Sequence, residues 1–360
     1  MQESEKHDQR SRPGGIGAGL RNLAKRRFVA VLVLLLAECI FFALTQDYFL
    51  TKDNLLAMLT GNSILWMVAM GLTFVLLVGG FDLSVAANLQ LTGIFIGAAF
   101  LDLALPGAVV FLLALLFGAA LGGLINGSLV GKLGLSFLIV TLGTLSLFEG
   151  VSLIWSDTKT RGVTSSFLTS MAFDNFLGIP IIVWMMVATL GVGIYTLRGT
   201  YFGRDIYAVG GNADAARVAG IRVERTIMWA YAIAGLGAGL GAAIQVGRIS
   251  AASPQLGNAV LFSATAAVLI GGTSFAGGIG GVGGTAIGVL FVGVLSNGLT
   301  LSGVNVDWQL VVTGAILLVV VFVDLLQRPE GRAKLRFNRR ASRTKAPPPT
   351  PVASVGEGVK

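Results

Sequence analysis

The sequence predicts an all-α integral membrane protein of about ten transmembrane helices, some of them interrupted, with both termini in the cytoplasm. Composition is the first reason: 54% of the 360 residues are hydrophobic and 12% charged, whereas a soluble domain carries roughly 25% charged residues. Mean hydropathy is +0.81. The second reason is a series of apolar runs of about 17 to 24 residues, each long enough to cross about 30 Å of hydrocarbon. The third is charge. Threading the runs alternately puts 22 of the 26 lysines and arginines on one side, which the positive-inside rule assigns to the cytoplasm. The formal charge of +8 is mostly this bias plus attraction to membrane lipid head groups, so no nucleic-acid partner is expected.

In chain order, residues 1–27 form a basic cytoplasmic leader. The apolar runs then cover 28–45, 62–79, 84–101, 107–130, 135–155, 180–197, 227–247, 259–275, 283–302 and 306–326. Only Lys52, Lys159, Arg161 and Arg248 fall on the outer side. The 50 glycines suit helices packed backbone to backbone and broken within the membrane. Segment 156–180 is the longest outer loop, either a connector or a docking surface. Residues 327–360 are basic, then proline-rich, and read as a disordered cytoplasmic tail.

Several chemistries are excluded by what the sequence lacks. The single cysteine, Cys39, rules out an internal disulfide, and the single histidine, His7, rules out a His-pair metal site. The stretch LAEC around Cys39 has Glu38 where a lipoprotein cleavage box needs a small residue. In GSLVGKLG, Asn126 stands where a phosphate loop needs glycine, and Leu133 follows Lys132 where it needs Ser or Thr. The chain therefore carries no ATPase of its own. The glycine-rich stretch 271–284 follows no soluble strand and reads as a tight cytoplasmic turn.

The stretch LLVGGFDLSVAANLQL, residues 76–91, places Asp82 between apolar runs. A lone Asp in hydrocarbon costs about 2.5–3.5 kcal/mol, so it must be hydrated, paired or set at a boundary. The orientation puts it at a break near the cytoplasmic face, where water or helix-start amides can satisfy it. There Asp82 and Ser84 can each cap the next helix, and direct solute contact is the other reading. LLVGGFDLS also resembles VLIGGTSFA, residues 268–276. Gly79, Gly80, Asp82 and Ser84 in one copy, and Gly271, Gly272, Thr273 and Ser274 in the other, are the expected helix breaks or gates of two duplicated halves. Asn88, Gln90, Thr92, Asn126, Thr141, Thr144, Gln245 and Asn297 are uncharged hydrogen-bonding side chains within runs. Each alone reads as a helix-to-helix bond; together they offer a wettable path for a small neutral solute.

In the inner loop 198–226, Asn212 suits an N-cap, Asp214 the first turn of a helix and Gly220 its stop, which defines a helix of about two turns. So short a helix needs a surface to pack on. That surface is either its own membrane domain or a cytoplasmic partner meeting Ala215, Ala216 and Ala219.

Five stretches occur in order: GGFDLSV (79–85), LSFLIVTLGTLSLFEG (135–150), GGNADAARVAGI (210–221), AAVLIGGTSFAGGIGGVGGTAIG (266–288) and VGVLSNGLTLSGV (292–304). With them, residues 28–326 resemble the membrane permease subunits of bacterial ATP-binding-cassette (ABC) sugar importers, the ribose, xylose and arabinose type of the branched-chain permease family. DAARVAG is similar to the EAAxxxG opening of the coupling loop in such permeases. The resemblance thus implies ATPase coupling for Gly211, Asn212, Asp214, Ala215, Ala216, Arg217 and Gly220. It implies a permease domain over 28–326 that moves a monosaccharide or related neutral solute delivered by an extracytoplasmic binding protein. It also implies cytoplasmic ABC ATPase subunits, a second permease copy or paralogue, and a bacterial inner (plasma) membrane location. ATP and magnesium would sit on the ATPase partners, and this chain would bind no cofactor or metal and catalyse nothing. Ala86 stands where the family usually has glycine, Leu261 and Ser263 where it commonly has an acidic pair, and Glu149 where a basic residue is common, which leaves the sugar open. The rival class is a proton- or sodium-coupled secondary transporter carried by Glu38, Asp82 and Glu149. A non-transporting membrane scaffold is a third.

Overall fold

The computed structural model describes residues 16–254 and 258–327, so the leader up to residue 15 and the tail beyond residue 327 lie outside the described residues. Fourteen helices follow in order: α1 (Ile16–Thr45), α2 (Lys52–Gly61), α3 (Ser63–Leu77), α4 (Val85–Leu101), α5 (Gly107–Ala120), α6 (Phe137–Ser156), α7 (Ser166–Phe173), α8 (Ile181–Gly199), α9 (Tyr201–Gly211), α10 (Ala213–Val218), α11 (Val223–Ile249), α12 (Asn258–Ile270), α13 (Val282–Leu301) and α14 (Val306–Gln327). Helix α5 continues in π-wound turns over Leu121–Asn126 and Ser128–Lys132. Two short antiparallel ladders pair β1 (Arg161–Gly162) with β4 (Ala251–Ala252), and β2 (Asn175–Phe176) with β3 (Ile179–Pro180).

Every apolar run holds a helix. Among the described residues, five helices are long and apolar enough to cross a membrane, or six if α2 and α3, bent by 46°, form one span. Shorter apolar helices lie in α1, α4, α12 and α14.

Three parts differ from the sequence expectation. The run 62–79 is preceded by α2, whose N-terminus is capped by Thr51 and whose last carbonyls, at Thr60 and Gly61, accept from the Arg248 guanidinium at 3.1 and 3.3 Å. The run 259–275 is helical only to Ile270, because its glycine doublet turns the chain. The outer loop 156–180 is folded, carrying α7 and a strand of each ladder.

Helix α3 is buried along its length except at Ile64, as expected of a helix enclosed by others. It packs mainly on α11, whose middle is also buried. Helix α11 meets α5 glycine to glycine: a β-carbon on Gly118 would lie 3.1 Å from the Gly239 amide nitrogen. Such small-residue contacts let helix backbones touch without a hydrophobic driving force. The outer faces of α1, α5, α6, α8 and α14 expose Leu, Ile and Val, which suits lipid.

Candidate functional site

The two glycine doublets make the same local turn. The chain leaves α3 through Gly79, two residues past the helix, whose φ of +78° only glycine adopts freely; Gly79 N donates to Leu76 O at 2.9 Å and Gly80 N to Val75 O at 3.0 Å. The chain leaves α12 through Gly272, two residues past the helix, at φ +86°; Gly272 N donates to Leu269 O at 3.0 Å and Thr273 N to Val268 O at 3.2 Å. Both are left-handed helix stops that satisfy orphan carbonyls. The register differs by one from the sequence match, because the turning residue is the first glycine of one doublet and the second of the other. Gly80 therefore corresponds to Thr273, and Gly271 remains helix-like. Beyond the second stop, Thr273 Oγ1 accepts from Gly281 N at 3.4 Å and Ser274 N donates to Ile279 O at 2.9 Å, both residues being buried.

The breaks meet each other and the end of α9. Gly278 N donates to Leu77 O at 2.8 Å, and the Phe81 and Phe275 rings lie 5.3 Å apart. A β-carbon on Gly210 would overlap the Leu77 carbonyl oxygen and lie 2.5 Å from Gly278 N; one on Gly277 would lie 2.7 Å from Gly79 N and 2.9 Å from Gly210 O. Three backbones thus converge where no side chain fits. Tyr207 adds a bond from its hydroxyl to Gly280 O at 2.9 Å, and burial pushes its phenol above the ordinary range, so it remains a donor. Sequence reasoning missed α9 and Gly210. The signal was there in Gly203, Ile206 and Val209, which recur at helical spacing and form the buried face.

Helix α10 forms as its local chemistry dictates. The Asn212 side chain accepts from Ala215 N at 2.9 Å, Asp214 occupies the first turn, and Gly220 follows the helix with φ +85°. Arg217 reaches Asp214 at 3.4 Å and Glu224, on α11, at 2.9 Å. Ala216 does not face a partner: it is 4% exposed and belongs to the core, because the other side of so short a helix must pack on α9 and α11. The outward face is Ala215, Ala219 and Val218, the last 91% exposed. Gly211 is open, with no atom within 4 Å of where a β-carbon would stand.

Asp82 is buried at the break, and its carboxylate is taken up by one backbone amide at the start of α4 and by two neighbouring side chains. It is 1% exposed, and Oδ1 accepts from Ser84 N at 2.9 Å, from Ser84 Oγ at 2.7 Å and from Asn126 Nδ2 at 3.5 Å. Asn126 Nδ2 also donates to Ser84 Oγ at 2.7 Å. Ser84 occupies the N-cap position of α4 without making a cap bond; its backbone is already helical (φ −84°, ψ −5°), whereas a capping side chain needs an extended residue. The carboxylate instead ties the first break to the π-wound end of α5. Tyr231 on α11 secures the same break by donating to Phe81 O at 3.1 Å.

The uncharged residues expected along a solute path are dispersed. Asn88 Nδ2 donates to Gly118 O at 3.0 Å and its Oδ1 accepts from Thr92 at 3.1 Å. Thr141 and Thr144 bond back to Phe137 O at 2.8 Å and Val140 O at 3.0 Å, and Asn297 exchanges amide bonds with Asn54 at 2.9 and 3.0 Å. Gln90 and Gln245 face a cavity of about 10 Å³ between α4 and α11, where Gln245 Oε1 is buried without a partner among the described residues.

A helical membrane protein with two central helix breaks clamped to an exposed helical loop has the form of a polytopic transport subunit. Comparison with known proteins specifies the kind: residues 54–321 match the family described as branched-chain amino acid transport system / permease component, and the chain belongs to that family. It is 36% identical over 308 residues to the ribose import permease protein of Haemophilus influenzae, covering 84% of this chain and 93% of that one. It is 36% identical over 299 residues to the D-allose transport system permease protein of Escherichia coli (82% and 90% covered). The galactose/methyl galactoside import permease protein of Escherichia coli is 33% identical over 317 residues (82% and 93%). No solved structure matches.

Proposed function

We propose that the chain is the membrane permease subunit of an ATP-driven ABC importer for a monosaccharide or related small neutral solute, and not an enzyme. Ribose, allose and galactose in the names of its relatives support the solute class. In this reading ten spans cross a bacterial inner membrane with both termini in the cytoplasm, the four shorter apolar helices completing the count. ABC ATPase subunits, holding ATP and magnesium that this chain does not, dock on Ala215, Val218 and Ala219 beside Asp214 and Arg217. An extracytoplasmic binding protein delivers the solute, and a second permease copy or a paralogue forms the other wall of the path, since the polar residues of one chain do not line a tunnel. Gln90 and Gln245 are the path residues left with capacity for solute hydroxyls.

The observation that carries this reading is the contact of Gly210 with Leu77 and Gly278, which joins the α9–α10 unit to both breaks. Movement of α10 by a closing ATPase pair would reach Gly79 and Gly272 through backbone, with no flexible side chain to absorb it. The secondary-transporter reading lacks such support: Asp82 is occupied by Ser84 and Asn126, and the named relatives are import or transport-system permeases. In the complete transporter, Gly210→Ala should insert normally and leave ATP hydrolysis running while uptake falls about tenfold or more, overpacking being worth about 1–3 kcal/mol. Gly191→Ala on α8, where no atom lies within 4 Å of an added β-carbon, should transport like the wild type. Equal uptake by the two variants would refute the junction.

A further inference from the structure

A cavity of about 380 Å³ opens between α9, the end of α10 and the start of α11, lined by Phe202, Asp205, Arg222, Arg225, Thr226 and Trp229 among others. That is within the size range of small-molecule sites. Arg222 and Arg225 make no ion pair among the described residues, the nearby Glu224 being held by Arg217. With Asp205 counted, the lining carries one net positive charge.

Arg222 is the N-cap residue of α11, and Arg225 and Trp229, three and seven residues further on, lie on the exposed side of the first two turns of a helix long and apolar enough to cross a membrane. Seven residues advance about 10 Å along α11, from the arginines to a tryptophan 63% exposed. Two cations followed by an indole at that depth match the order of a lipid layer, phosphate outermost and glycerol and first methylenes below, where tryptophan concentrates. With α11 spanning a membrane, the tryptophan end of that stripe lies at lipid depth, out of reach of a soluble protein partner.

We propose that this cavity is a binding site for one anionic phospholipid, its phosphate between Arg222 and Arg225 and its glycerol region against Trp229 and Phe202. The site rests on α11 spanning a membrane and not on the transport reading. A bound lipid would fix the angle at which α10 leaves the membrane surface.

The test is native mass spectrometry of the full-length chain released from nanodiscs of mixed phosphatidylcholine and phosphatidylglycerol. The wild type should retain one phosphatidylglycerol in preference to phosphatidylcholine. Arg222→Gln/Arg225→Gln should lose that preference by about thirtyfold, at about 1 kcal/mol per arginine. Trp229→Leu, which keeps both charges, should retain the preference but release the lipid at lower collision energy, and it serves if the double variant does not fold. Added inorganic phosphate should not displace the lipid; displacement would reassign the site to a free anion. Undiminished preference in the double variant would overturn the proposal, as would loss of ATPase-subunit binding in lipid-free detergent with lipid retention unchanged.

Discussion

At the scale of single residues, Asp82 is the informative case. Its carboxylate accepts only from neutral groups, Ser84 and Asn126, in a buried setting. Asp82→Ala would strand the Ser84 amide, and a buried unsatisfied donor costs about 1–3 kcal/mol. Asp82→Asn keeps an acceptor oxygen. Thermal melting in detergent should therefore fall for the alanine variant and stay near wild type for asparagine. Unchanged melting in both, with uptake lost, would instead assign Asp82 to solute contact. Gly220→Ala should lower stability by about 1–2 kcal/mol through the left-handed backbone alone, read as a lower melting point, since nothing crowds the position. Asn212 and Gly220 were legible in the sequence because cap and stop chemistry is local. The Asp82 network was not, because Asn126 is 44 residues away and the backbone of Ser84 decides whether it can cap.

At the scale of elements, α10 was predicted and α9 was not, although α9 carries the glycine that touches both breaks. Alternating charges and glycines in 198–211 hid its apolar face, and only Gly203, Ile206 and Val209 mark it. The outer ladder β1–β4 was invisible because each strand has two residues and their pairing joins distant segments. It is anchored by Arg161, whose guanidinium grips Asp102 with contacts of 2.9 and 2.5 Å and holds that carboxyl below its ordinary value. With the folded pKa depressed, the tie contributes at neutral pH and is lost as pH falls through the folded value, below about 3.9. Protection of the Val163 amide, which donates to Ser250 O beside the ladder, should weaken over that range. In Asp102→Asn it should be weaker at every pH and show no such step.

At the scale of the whole molecule, the apolar runs located a helix in each case, because a length of hydrocarbon imposes a length of sequence. The dispersed polar side chains were harder to read. Asn88, Thr92, Thr141 and Asn297 proved to be occupied in bonds within and between helices, a use that composition does not distinguish from lining a path. The central claim is that transport by this chain is driven from outside it, through α10. The direct measurement is sugar uptake into proteoliposomes holding the chain with its ATPase subunits and binding protein, against the chain alone under an imposed proton or sodium gradient. The account predicts uptake only in the complete assembly with ATP; uptake by the chain alone, driven by the gradient, would contradict it.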